Sequence, residues 1–263
     1  MEPLALAVQL ARASGKYQRA HLGHIREVRM KGLTDPVTDV DQACEQMILD
    51  GIRREFPAHA ILAEESGSTA GSEWLWVVDP LDGTVNFTHG YPLFCTCIAL
   101  CRDGRPELSV IYEPNHDELF VAQRGSGATC NGDRIHVSQT TRVIESLLDT
   151  GFAYSREQGE LAINIPIFNT MLMRARAVRR DGVAGVDLAY VAKGRYDGFW
   201  EFYLRPWDLA AGVLLVEEAG GRVTNLHGGL FDLFGPEVLA TNGLIHQEII
   251  EIVRVAATTS KTP

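Results

Sequence analysis

The stretch Val77-Val78-Asp79-Pro80-Leu81-Asp82-Gly83-Thr84 decides the reading of this 263-residue chain. An apolar, β-forming run from Trp74 to Val78 ends on a carboxylate, Asp79. Pro80 turns the chain, and Asp82 presents a second carboxylate three residues after the first. Gly83 permits close backbone approach, and Thr84 adds a hydroxyl. A helix opening at Gly83-Thr84 and running through Phe87 would aim its first N–H groups at the place the two carboxylates face. An anion site would then adjoin a cation site. Taken alone, each Asp has a simpler role, capping a turn after a strand.

Two distant segments also deliver acids from element ends. Ala60-Ile61-Leu62 reads as a strand leading to Ala63-Glu64-Glu65-Ser66, and Pro206-Trp207-Asp208 puts Asp208 at the start of a helix, where it can also cap. Acids gathered in one cleft raise one another's pKa and cannot all stay ionised unaided. Hard divalent cations remove that penalty. Magnesium takes oxygen ligands and retains waters, which leaves positions open for a phosphate ester.

Around these acids the pattern is mixed. Leu4, Ala7, Val8 and Ala11 predict a helix over Pro3 to Ala13, ended by Gly15. Lys31 to Asp39 reads as a loop with an Asp35-Pro36 turn. A helix then runs to about Phe56 on the stripe Val40, Cys44, Met47, Ile48 and Ile52, capped by Thr38 or Asp39 and stopped by Pro57. Phe94 to Leu100, Glu107 to Tyr112 and Glu118 to Gln123 predict a meander, with Asp103-Gly104 as one turn. From Val143 strands alternate with helices. The helices are Ile163 to Arg174, Val186 to Lys193 closed by Gly194, Asp208 to Ala219 before Gly220-Gly221, and Leu244 to Val255; Arg222 to Leu226 is a strand. The implied class is α/β (α+β), with two subdomains sharing a cleft: 1–140 carrying the Asp79–Thr84 loop and 141–263 carrying Trp207-Asp208.

Hydrophobic residues are 46% of the chain and charged residues 22%, which excludes a largely disordered protein. The net charge of -10 argues against binding duplex DNA or an anionic membrane. No run of 18 apolar residues predicts a membrane span. The Met-Glu-Pro start lacks the basic and apolar regions of a secretory signal. With the uneven set Cys44, Cys95, Cys97, Cys101 and Cys130, this implies reduced thiols and a cytoplasmic location. Cys95 and Cys97 share a strand face, but a fourth ligand and a CxxC spacing are missing, so they read as core thiols rather than a zinc site. The histidines fall in no HExxH or Ser-His-Asp context. Gly125-Ser-Gly127 reads as a turn, Glu217-Glu218 as an exposed helix face, and the four tryptophans as packing residues.

Asp79-Pro-Leu-Asp-Gly-Thr84, with Glu64-Glu65 upstream and Trp207-Asp208-Leu-Ala-Ala-Gly212 and Glu218-Ala-Gly-Gly221 downstream, resembles the inositol monophosphatase family. The resemblance spans about Lys31 to Gly221. It implies a layered α-β-α-β-α sandwich of the sugar-phosphatase type. It further implies that Glu64, Asp79 and the Leu81 carbonyl bind a first Mg²⁺, that Asp79, Asp82 and Asp208 bind a second, and that Glu64 faces a weaker third site, with Mn²⁺ able to substitute. The amides of Gly83 and Thr84 would cradle phosphate. Thr84, assisted by Glu64 and by Asp41 of Thr38-Asp-Val-Asp41, would orient the attacking water; Asp41 alone reads equally well as a first-turn acid favoured by the helix dipole. Gly182, Val183 and Ala184 would line the substrate, although Val183 stands where the family has a small hydroxyl residue. Glu201 resembles the acid that binds a substrate hydroxyl, which favours a polyol monophosphate. Arg180 and Arg205 lie nearby as substrate or surface charges.

The expected function is therefore Mg²⁺-dependent hydrolysis of a small phosphate monoester, foremost myo-inositol monophosphate, by a homodimer sensitive to Li⁺. Histidinol phosphate and sugar bisphosphates or nucleotide 3′-phosphates are the alternative substrates. A regulatory scaffold retaining the fold is the non-enzymatic alternative, and the intact acidic set argues against it.

Overall fold

The structure is a computed structural model and describes residues 1–68, 72–152 and 160–259. The first part runs α1 (Pro3–His21), β1 (Val28–Met30), β2 (Pro36–Thr38), α2 (Asp39–Glu55), β3 (Ala60–Ala63), β4 (Gly67–Ser68), β5 (Trp74–Asp82) and α3 (Thr84–Thr88). A meander follows: β6 (Cys95–Arg102), β7 (Arg105–Glu113), β8 (Glu118–Gln123), β9 (Gly127–Cys130) and β10 (Asp133–Arg134). The rest comprises β11 (Leu147–Thr150), α4 (Glu160–Arg174), β12 (Ala177–Arg179), α5 (Ala184–Ala192), β13 (Gly198–Phe202), α6 (Pro206–Glu218), β14 (Arg222–Thr224), β15 (Glu237–Thr241) and α7 (His246–Thr259). Among the described residues no helix is long and apolar enough to cross a membrane.

Two sheets carry the architecture. The larger has the order β10-β9-β8-β7-β6-β5-β3-β4 and the smaller β12-β11-β13-β15-β14. The period-two pattern of side chains sorts the core into layers. Trp76, Val78, Ile98, Leu100 and Val110 leave one face of the large sheet and bury against Leu6 and Leu10 of α1 and Ile48 and Ile52 of α2. Their neighbours Val77, Cys97, Ala99 and Ile111 leave the other face and meet Val186 and Leu188 of α5 and Leu209 and Val213 of α6. Phe199, Val238 and Ala240 of the small sheet close on those same two helices. Its outer face, with Leu148, Trp200 and Leu239, packs on Ile167 and Met171 of α4 and Ile249 and Ile252 of α7. The result is the expected α-β-α-β-α sandwich, with α5 and α6 shared by both sheets.

Several elements differ from the sequence reading. The first helix does not end near Ala13 but continues to His21 through a buried Gly15. Gly15 serves close approach: a Cβ there would lie 2.5 Å from Cδ1 of Tyr112. Gly15→Val is expected to lower unfolding free energy by about 1–3 kcal/mol through overpacking, read from the urea midpoint. An unchanged midpoint would mean that α1 does not lie this close to β7. The extra turns matter for the site, because Gln18 Nε2 donates to the Pro80 carbonyl at 2.7 Å and to Thr96 Oγ1 at 2.8 Å. Helix α1 thereby holds the acidic loop from behind.

The segment read as a loop contains strand β2, paired antiparallel with β1. Strand β5 does not stop at Val78 but runs to Asp82, with a register shift against β6 between Asp79 and Asp82. That irregularity lets both carboxylates leave one strand end toward the same cleft. The strands expected to alternate with helices after Val143 are β11, β12, β13, β14 and β15, of which the sequence pattern delimits only the one starting at Arg222. Nor is Glu218 a free surface acid: its carboxylate accepts from Gly125 N at 2.8 Å and Gly127 N at 2.7 Å, pinning the β8–β9 turn, while Glu217 pairs with Arg124 at 3.2 Å.

Candidate active site

Local bonds fix the floor of the cleft. Asp79 Oδ1 accepts from Leu81 N at 3.0 Å, which closes the Pro80 turn on its own carboxylate. Asp82 Oδ2 accepts from Gly185 N at 2.6 Å, the first turn of α5, and so ties the acidic loop to the middle helix layer. Gly83 adopts φ +94°, in the left-handed region, and leads directly into α3. Thr84 Oγ1 lies 2.8 Å from Asp41 Oδ1 and 3.1 Å from the Leu81 carbonyl, so its single proton is committed to one of these acceptors. Asp41 Oδ2 accepts from Thr38 N at 2.9 Å and from the Thr38 hydroxyl. Asp41 thus closes a capping box on α2 and at the same time holds Thr84.

The mouth is made by Glu64, at the end of β3, and Asp208, in the first turn of α6. Asp208 Oδ2 accepts from Arg205 N at 2.7 Å. Asp79 is 2% exposed and Asp82 9%, whereas Glu64 keeps 19% of its side chain exposed. The acids act on one another. Burial and then Lys31, Asp208 and Glu65 govern Glu64, whose pKa is pushed up to about 8. Burial, relieved by Gly185 N–H and aggravated by Glu64, lifts Asp82 to about 7. Burial and Asp82 lift Asp208 to about 7. Asp79, buried and facing Glu64, Asp82, Cys97 and Asp208, is raised well above the ordinary carboxylate range. The four acids that the sequence separates by up to 144 positions therefore share one electrostatic site. Their donors are all oxygen, the set that hard divalent cations take, and such cations would restore the ionised forms.

Without a cation, that strain has a sign. Folded Glu64, Asp82 and Asp208 hold protons at pH values where the unfolded chain, at about 4.5 and 3.8, has released them. The folded state binds more protons across that window, so the contribution of these three acids to stability is fully present below about pH 4 and is lost as pH rises toward 8. In chelator the thermal midpoint is expected to fall between pH 5 and 8, and divalent cation to cancel the fall. A midpoint that rises with pH in chelator would contradict the shared site.

Sequence reasoning missed Lys31. From the β1–β2 hairpin its ammonium reaches Glu64 Oε1 at 2.6 Å and Glu65 Oε1 at 2.9 Å. Burial opposes this charge, but the two acids outweigh it and hold the ammonium above its ordinary range. A lysine 33 positions from its partner carries no local signal. Glu65 is tied down as well, its N–H donating to Glu45 Oε2 at 2.9 Å. Cys95 and Cys97 are buried as expected of core thiols, yet they border the site: their sulfurs are 3.6 Å apart, and Cys95 Sγ is 3.8 Å from Asp82 Oδ2.

Glu201 on β13 and residues 181–184 supply the remaining residues expected at the site. Glu201 is 7% exposed, and burial together with Asp208 raises its pKa well above the ordinary range. Val183 is fully buried, with Cγ2 packed over Gly83: a Cβ on Gly83 would be 2.8 Å away. The branched side chain at this position therefore fills the core beside the acidic loop. Ala184 is 5% exposed, and Gly182 is the more open residue of the three.

The sequence model of the inositol monophosphatase family matches residues 1–257. The chain belongs to this family. It is 42% identical over 245 residues to the chloroplastic phosphatase IMPL1 of Arabidopsis thaliana, covering 90% of this chain and 66% of that relative. It is 44% identical over 236 residues to the Nus factor SuhB of Pseudomonas aeruginosa, covering 87% of each. The solved inositol monophosphatase from Anabaena superposes with a TM-score of 0.87 at 43% identity, over 96% of this chain and 95% of the other. Family membership makes the chain a phosphatase by descent and agrees with the layered fold.

Proposed function

We propose that the chain hydrolyses a small phosphorylated polyol, foremost myo-inositol monophosphate, with Mg²⁺ as cofactor. The convergence of Glu64, Asp79, Asp82 and Asp208 beside the Thr84–Asp41 pair carries this reading. Glu64, Asp79, Asp82, Asp208 and the Leu81 carbonyl are the groups that would hold the ions. When bound, Mg²⁺ supplies positive charge that acidifies water and offsets the charge of the departing alkoxide.

The chain's own groups do the rest. Thr84 donates its hydrogen bond to Asp41 or to the Leu81 carbonyl, and in either case a lone pair on Oγ1 is left to accept from water. That contact turns an oxygen lone pair of the water toward phosphorus for in-line attack. Thr38 keeps Asp41 from swinging away. Glu64, at the mouth, would assist Thr84 in orienting the water. The Gly83 and Thr84 amides at the start of α3 hold the phosphate oxygens, and Glu201 accepts from a hydroxyl of the alcohol. Family resemblance supports a homodimer and inhibition by Li⁺, and the free thiols agree with a reducing, cytoplasmic location.

Phosphate release from a panel of esters, with Mg²⁺ and with EDTA, tests the proposal. Inositol monophosphate should turn over fastest, and EDTA should abolish release. Faster release from histidinol phosphate would overturn the substrate assignment. A second reading, action through a macromolecular partner, draws on the name of the Pseudomonas relative, a Nus factor. No turnover on any ester would favour it.

A further inference from the structure

We propose that Asp149, Asp181 and Asp187 form a binding site for one hard divalent cation, distinct from the acids of the phosphatase centre. The three come from separate places: Asp149 from the end of β11, Asp181 from the segment before α5, and Asp187 from the first turn of α5. One oxygen from each lies within 4.8 Å of the others. Opposite oxygens around a single ion at about 2.1–2.6 Å stand about 4.2–5.2 Å apart, and adjacent ones closer. The triad is therefore already gathered to the size of one coordination shell.

A second observation points to a ligand. Asp149 is 0% exposed and Asp187 1%, and no oxygen of either carboxylate has a partner in full hydrogen-bond geometry; the Asp181 N–H and the Asp187 carboxyl act on Asp149 only through weaker contacts. Buried carboxylates are ordinarily paired or metal-bound, because leaving them bare costs more than folding readily tolerates. Asp181 differs. Its Oδ2 accepts from the Tyr196 hydroxyl, its carbonyl accepts from Asn86 Nδ2 at 3.0 Å, and it is the half-buried member through which water reaches the group. Burial and mutual repulsion raise Asp149 to about 7 and push Asp187 well above the carboxylate range. The Arg180 guanidinium acts on Asp149 in the opposite sense. One dication together with Arg180 would balance three negative charges.

All three donors are hard oxygens, which selects Mg²⁺, Mn²⁺ or Ca²⁺ over thiophilic ions. The site lies directly behind Gly182 to Ala184, so its ion would anchor the substrate wall without touching phosphate. The competing account is a proton shared between Asp149 and Asp187.

The experiment uses the full chain carrying Asp79→Asn and Asp82→Asn, which removes ligands of the phosphatase centre, and Mn²⁺ as the probe. Equilibrium dialysis should retain one Mn²⁺ per chain. Adding Asp149→Asn should abolish that equivalent, and Asp181→Asn, at the half-buried position, should weaken it by at least about tenfold. At roughly a hundredfold excess over Kd, Mn²⁺ should raise the thermal midpoint of the parent by roughly 5–10 °C and leave the Asp149→Asn variant unmoved. In EDTA, Asp149→Asn should melt no lower than its parent, because repulsion is relieved. If Asp149→Asn fails to fold, Asp181→Asn decides. The site is overturned if the parent binds no Mn²⁺, if the equivalent survives both substitutions, or if the parent's midpoint follows pH with no response to Mn²⁺, the signature of a shared proton.

Discussion

Asp82→Asn is expected to reduce turnover by about 10³-fold or more and to leave the chain folded. The two effects separate because Asp82 has two jobs. Its structural task is to accept a hydrogen bond from Gly185 N, and the amide oxygen of Asn can still do so. Its chemical task is to supply full negative charge among Glu64, Asp79 and Asp208, and Asn cannot. Losing several kcal/mol of cation-dependent transition-state stabilisation corresponds to this factor. The substitution also removes one member of a mutually repelling set, so the thermal midpoint in chelator should not fall. Rates, with circular dichroism as a fold control, check both halves. A variant with near-normal turnover would mean that Asp82 does not serve the ions.

Thr84→Ala is expected to lower kcat by about 10²–10³-fold with little change in KM. Its hydroxyl donates toward Asp41 or the Leu81 carbonyl, and in the proposed reaction it offers its lone pair to the attacking water. That contact matters as the reaction proceeds and contributes little to ground-state binding, which is why the loss belongs in kcat. Removing the hydroxyl also leaves one oxygen of a fully buried Asp41 without its donor, at a cost of about 1–3 kcal/mol in stability. Thr84→Ser restores the hydroxyl and should recover most of the rate. If Ala and Ser behaved alike, the residue would be packing rather than orienting water.

The legible parts of the fold are those where neighbouring positions alternate or repeat. Trp76 and Val78 against Val77, and Ile98 and Leu100 against Cys97 and Ala99, alternate because each face of the large sheet meets a different helix layer. Strand β13 did not announce itself because Gly198 to Phe202 is buried along its whole length, which erases alternation. Gly15 misled because its role is proximity to Tyr112, a residue nearly a hundred positions away. The acids at strand and helix ends were readable, since turns and caps have local signatures. Lys31 over Glu64 and the grouping of Asp149 with Asp181 and Asp187 were not, because long-range charge pairing leaves no trace in local spacing. The eight-stranded sheet, like the small β1–β2 sheet, is built from residues before Val143 and the five-stranded sheet from residues after it, and helices α5 and α6 fill the space between the two large sheets.

Anomalous diffraction from a crystal soaked with Mn²⁺ and inorganic phosphate tests the central claim most directly. Two peaks are expected within coordination distance of Glu64, Asp79, Asp82, the Leu81 carbonyl and Asp208, with phosphate oxygens bridging toward the Gly83 and Thr84 amides. Density for Mn²⁺ absent from these carboxylates, or phosphate seated elsewhere in the molecule, would contradict it.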